Sequence, residues 1–77
     1  MSAQCRLLHV ASAVVGGQRL RIEVIRFENE PKGSPSRFRV SYRGFPRIKR
    51  GRFFEIQAEA ERLYLDEVDA YGLEVRW

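Results

Sequence analysis

The chain has 77 residues and carries 14 Lys and Arg against 10 Asp and Glu, a formal charge of +4. A chain this short buries only about 60–65% of the surface its unfolded form exposes, so residues 1–77 read as one domain with one core, with which a deep catalytic cleft would compete. Cys5 is the only cysteine, which excludes an internal disulfide and leaves too few ligands for a zinc cage, and no run of about 18 apolar residues marks a membrane span.

Residues 6–15 run into Gly16-Gly17 and then into a second alternating stretch, the pattern of a strand, a tight glycine turn and a strand. A competing reading makes residues 5–15 a helix capped by Ser2 and stopped at Gly16, with Leu7, Val10, Ala11 and Val14 on one face. From Arg19 to Val24 the alternation is clean: Leu20, Ile22 and Val24 point one way, Arg19, Arg21 and Glu23 the other. The phase slips at Ile25 and continues through Phe27, which calls for a β-bulge or for burial on both sides.

Residues 28–36 contain two prolines, a glycine and polar residues, an exposed loop without regular structure. Alternation resumes from Arg37 to Arg43, with Phe38, Val40 and Tyr42 toward the core. A basic, turn-rich connection, residues 44–51, leads to a candidate short strand at 52–56. Ala60, Leu63, Tyr64, Val68 and Tyr71 then form a single helical stripe, and Gly72 stands where a left-handed cap belongs, which predicts a helix over about 57–70. Leu73 to Trp77 alternates again as a terminal strand, with Trp77 and Tyr71 expected to finish the core. The fold class is therefore α+β: a small antiparallel sheet of three to five strands with one helix packed on one face.

Charge is segregated. Residues 1–53 carry a net +9 and residues 54–77 a net −5. Of the basic residues only Lys32 and Lys49 are lysine; the rest are arginine, whose planar forks suit phosphate and carboxylate. If the 28–36 loop joins neighbouring strands, Arg19, Arg21, Arg37, Arg39 and Arg43 share the face opposite the apolar set, with Glu23 as the only nearby relief. Such a cluster of like charge points to an external anion, although a solvated strand face would have the same pattern. Arg47, Lys49, Arg50 and Arg52 would extend the patch, with Phe45 and Phe53 available for stacking. Phosphate is the expected contact, as naked nucleic acid or as the RNA of a nucleoprotein complex. Against specific RNA recognition, no aromatic pair is expected on the exposed face, because Phe38 and Tyr42 alternate toward the core.

The acidic residues Glu55, Glu59, Glu61, Asp66, Glu67 and Asp69 read as a solvated helix face, or else as a patch for a basic partner. His9 has no obvious orienting partner in the sequence and reads as structural or exposed. Cys5 with His9 does not make a convincing nucleophile pair, and no metal set or paired carboxylates stand out, so the chain reads as a non-enzyme without a cofactor. The opening Met-Ser and the lack of a secretory signal lead to the expectation of a whole, cytoplasmic protein, monomeric or weakly dimeric.

A stand-alone chain of this size, with one sheet, one helix and a strongly charged surface, resembles the small phage-encoded anti-CRISPR inhibitors. The resemblance lies in size and architecture; those inhibitors share no signature motif, so it carries over no functional residue. It implies inhibition by occlusion in the host cytoplasm, with the protein docked on a Cas subunit or its guide RNA so that target DNA is blocked. Many such inhibitors are acidic mimics of DNA. A basic chain departs from that pattern and would have to grip an acidic protein patch or exposed RNA phosphate.

Overall fold

In the computed structural model, which describes residues 5–45 and 50–75, strand β1 (Cys5–Val15) turns at Gly16-Gly17 into β2 (Gln18–Phe27). Both glycines have positive φ, 58° and 79°, and Val15 pairs with Gln18. The connection is thus a two-residue turn of type I′, whose twist matches the strands it joins. This decides between the two readings of the N-terminal stretch: it is a strand. Its valines Val10, Val14 and Val15 favour extended backbone, and pairing with β2 along nearly its whole length supplies what an isolated short helix lacks.

The remaining elements are β3 (Phe38–Arg43), β4 (Arg52–Phe54), α1 (Gln57–Tyr71) and β5 (Glu74–Val75). They complete a five-stranded sheet in the order β4-β3-β2-β1-β5, antiparallel at every step. The expected α+β fold is therefore what the chain adopts. β4 stops sooner than its sequence pattern, because Ile56 already serves as the N-cap of α1. Trp77, expected in the core, lies outside the described residues. Among the described residues no helix is long and apolar enough to cross a membrane.

Helix α1 lies against β2, β3 and β4. Between helix and sheet, Leu20, Ile22 and Val24 meet Ala11, Phe38, Val40, Ala60, Tyr64 and Leu73 in one buried cluster. Ile22, Val24 and Val40 are wholly buried, each side chain contributing about 1.5–3 kcal/mol by leaving water. Most of the predicted helical stripe is the face that packs, with Leu63 and Val68 bordering the cluster; Tyr71, expected to finish the core, is instead exposed and meets Phe45 edge to face at 4.9 Å.

The change of apolar phase at Ile25 is not a bulge in β2: Ile25 and Phe27 are partly buried on the side opposite Val24, and the irregularity lies on the neighbouring strand. Leu7 pairs with Ile25 but His9 pairs with Val24, so Leu8 is an extra residue, a bulge in β1. Leu8 thereby packs against the core, while Leu7 shares a face with Ile25. β2 itself alternates without interruption to Phe27.

Two glycines hold the ends of the frame. At Gly72 (φ 63°) the helix closes with Leu73 N–H donating to the Val68 carbonyl at 2.9 Å and Gly72 N–H to that of Asp69 at 3.4 Å, a Schellman arrangement whose apolar partners are Leu73 and Val68. Gly44 (φ 77°) follows β3 and lies against β2, so close that a Cβ there would overlap the Arg19 carbonyl oxygen. A Cβ at Gly72 would meet nothing within 4 Å. Gly72→Ala should therefore cost only the backbone strain, about 1 kcal/mol, whereas Gly44→Ala adds a clash with main chain and should cost at least about 3 kcal/mol. Urea denaturation of the two variants checks this; equal losses would contradict the close approach at Gly44.

Candidate docking face of the sheet

Residues directly opposite one another on paired strands point to the same side of a sheet. With Leu20, Ile22 and Val24 under α1, the other side of β2 presents Arg19, Arg21, Glu23, Ile25 and Phe27. Register adds Ser12 opposite Arg21, Arg43 opposite Arg21, Ser41 opposite Glu23, Arg39 opposite Ile25, and Phe53 opposite Arg39. Among the described residues no element covers this side.

Arg21 and Arg43 face each other directly, an arrangement that costs roughly 1 kcal/mol or less between exposed charges. Glu23 relieves it by bridging both: its carboxylate accepts from Arg21 Nη2 at 3.1 Å and stands 3.9 Å from Arg43 Nε. Arg43 keeps 76% of its side chain exposed and Arg21 keeps 45%. Arg19 is exposed as well. Glu74, opposite Ser12 on β5, adds a second carboxylate at the far edge, so the face is basic through four arginines set against two acids.

The other sequence-predicted site residues are placed differently. Arg37 precedes β3, and its guanidinium lies 5.8 Å from the Phe38 ring centroid. It lines, with Arg26, Lys32, Glu55 and Gln57, an open hollow of about 490 Å³ beside the start of α1. Arg52 pairs with Val40 and so belongs to the helix side, its guanidinium 5.5 Å from the Phe54 ring. It does not extend the arginine face, because strand alternation sends it the other way from Phe53. Arg50 is exposed beside β4, and Arg47 and Lys49 lie outside the described residues.

The aromatic residues overturn an expectation. Phe45 is not free for stacking: it packs edge to face between Tyr42 and Tyr71. The open face does carry an aromatic pair, Phe27 and Phe53, with ring centroids 6.4 Å apart and planes tilted by 31°. Phe53 is 52% exposed. Arg39 lies against it, guanidinium to ring centroid 5.5 Å, a cation–π contact. Gly51 makes room for that guanidinium, since a Cβ there would come within 2.6 Å of Arg39 Nε. The Nε atoms of Arg37 and Arg39 are buried without a hydrogen-bond partner among the described residues.

On the opposite side of the sheet, His9 does have an orienting partner. Its Nε2 is 2.6 Å from Glu61 of α1, and its ring stacks on Tyr64 at 5.2 Å. Glu61, expected on a solvated helix face, is thus turned toward the sheet, where it also accepts from Gln57 Nε2 at 3.1 Å. Burial pushes the Tyr64 hydroxyl up. Cys5 pairs with Phe27 across the sheet, on the side away from His9, so the bulge separates the only thiol from the only imidazole. The arrangement ties α1 to β1.

The hydrogen bond from His9, and after it that from Gln57, hold the Glu61 carboxyl below the ordinary glutamate range. A depressed carboxyl stabilises the fold above its unfolded-state pKa, and that share is lost as pH falls through the folded value. The thermal midpoints of the native chain and of Glu61→Gln should therefore differ near neutrality and converge as the pH is lowered below the ordinary glutamate range. A constant offset across that range would contradict the pairing.

No protein-family model, curated protein or solved structure matches this chain, so the case for its function rests on its own residues.

Proposed function

We propose that this chain is a non-catalytic binding protein that docks its arginine-lined, helix-free sheet face on a phosphate-bearing partner. The observation that carries the reading is the strand register: it gathers Arg19, Arg21, Arg39 and Arg43, from two separate stretches of sequence, on the one broad surface left uncovered among the described residues. Glu23 answers part of the charge within the fold; the remainder is available to an anion. Guanidinium forks bind phosphate oxygens in pairs, and such contacts release condensed counterions, so affinity falls as salt rises.

In its biological setting the reading is inhibition by occlusion, as the likeness in size and architecture to anti-CRISPR inhibitors implies. The partner would be a CRISPR-Cas effector complex, gripped at exposed guide RNA or at an acidic subunit surface, with target DNA thereby excluded. The mixture on this face supports a docking role, since arginine and aromatic side chains, phenylalanine among them, are enriched at protein interfaces. Direct binding of free nucleic acid is the second reading, and the exposed Phe53 ring beside Arg39 favours it.

A triple variant, Arg19→Gln, Arg21→Gln and Arg43→Gln, tests the common element. These side chains stand at the surface, so the thermal midpoint should move little, the net change amounting to about 1 kcal/mol or less. Inhibition of target-DNA binding by purified effector complexes, or affinity for labelled oligonucleotides, should fall by at least about tenfold, and the slope of log affinity on log salt should become shallower by about 0.7–0.9 for each phosphate that the variant no longer neutralises. Undiminished activity in the triple variant would overturn the proposal.

A further inference from the structure

We infer that the open face takes single-stranded nucleic acid in preference to duplex, with Phe53 as the platform on which a base stacks; this rests on the phosphate-docking reading above and specifies its ligand. A duplex keeps its base faces inside the helix, so a protein aromatic ring gains nothing from it without unstacking a step, whereas a single strand offers every base face. The face is divided to suit the second case. One half holds the exposed cations Arg19, Arg21 and Arg43 around Glu23. The other holds Ile25, Phe27 and Phe53.

Arg39 joins the two halves. It sits between Ile25 and Phe53 in register and lies against the Phe53 ring. From Arg39 to Arg43 is roughly 13 Å along β3 at the rise of an extended strand, so a chain whose base rests at Phe53 meets the exposed arginines with its neighbouring phosphates. Half-exposed Phe53 stands on a short edge strand and, unlike Phe54, does not border the main core. A large ring kept half in water, with Phe27 6.4 Å away and the Arg39 guanidinium over it, has the makings of a stacking platform in which base and guanidinium share the ring. A protein partner would use the same ring as an apolar anchor, and the test separates the two.

The test measures fluorescence anisotropy with labelled single strands of RNA and of DNA, each about 12 nucleotides long to span one binding face, and with the matching duplexes, over a series of salt concentrations. It uses the native chain, Phe53→Leu, which keeps an apolar side chain but removes the ring, and Phe53→Tyr, which keeps the ring. We expect tighter binding of at least one single strand than of its duplex. Phe53→Leu should lower that affinity by about fivefold or more with an unchanged salt slope, and Phe53→Tyr should retain it. Equal affinity for strand and duplex, or full affinity in a folded Phe53→Leu variant, overturns the inference while leaving salt-dependent phosphate docking in place. If no oligonucleotide binds but effector inhibition is abolished in the triple arginine variant, the partner is an acidic protein surface: the single-strand inference and phosphate contact both fail, while docking through the arginine face stands. If neither binding nor inhibition is found, both readings fail.

Discussion

A single helix of this length can shield only one side of a five-stranded sheet, and the rest of the structure follows from that one-sided coverage. The apolar residues of each strand must then alternate with residues that tolerate water, and each change of phase must be absorbed locally. In β2 the alternation of Leu20, Ile22 and Val24 with Arg19, Arg21 and Glu23 meets this condition. In β1 the condition fails near the N-terminus, and the bulge at Leu8 restores it by returning an apolar side chain to the core.

The bulge has a second effect, on the open side. It turns Leu7 toward Ile25 and sets Cys5 opposite Phe27, so that the uncovered face becomes apolar at one end and cationic at the other. Phe53 arrives at the apolar end from β4, with Arg39 between it and Ile25. The uncovered side is therefore a two-part surface, and the acidic residues of α1, among them exposed Glu59, Asp66 and Asp69, lie on the other side of the molecule. The opposition of a basic sheet face and an acidic helix would orient the protein toward a polyanion.

Much of this was legible in the sequence because it depends on short-range periodicity. Period two in β2 and β3 placed Arg19, Arg21, Arg39 and Arg43 on one face; the stripe from Ala60 to Tyr71 placed α1; Gly16-Gly17 and Gly72 marked a turn and a helix end through the positive φ that each adopts. What was not legible depends on pairing between distant segments. Nothing local to Phe27 indicates that Phe53 will stand beside it, and nothing near His9 indicates Glu61, 52 residues away. The bulge in β1 was not legible either: the apolar phase change at Ile25 marks a second, partly buried side of β2, whereas the extra residue is Leu8 on the neighbouring strand. Arg37 was grouped with the arginine face by strand alternation and Arg52 as part of the basic connection; the Arg37 guanidinium instead lies near Phe38 at the hollow beside α1, and the register of β4 puts Arg52 on the helix side.

Whether the helix-free face is the docking surface can be read from side-chain NMR. Methyl and guanidinium signals would be followed while the native chain is titrated with a partner, whether oligonucleotide or effector complex. The Ile25 methyls and the Arg21, Arg39 and Arg43 Nε–H signals should shift together, with the exposed Leu65 methyls on the helix side of the sheet unmoved. Shifts confined to Leu65 and its helical neighbours, with the arginine signals unchanged, would contradict docking through the helix-free face.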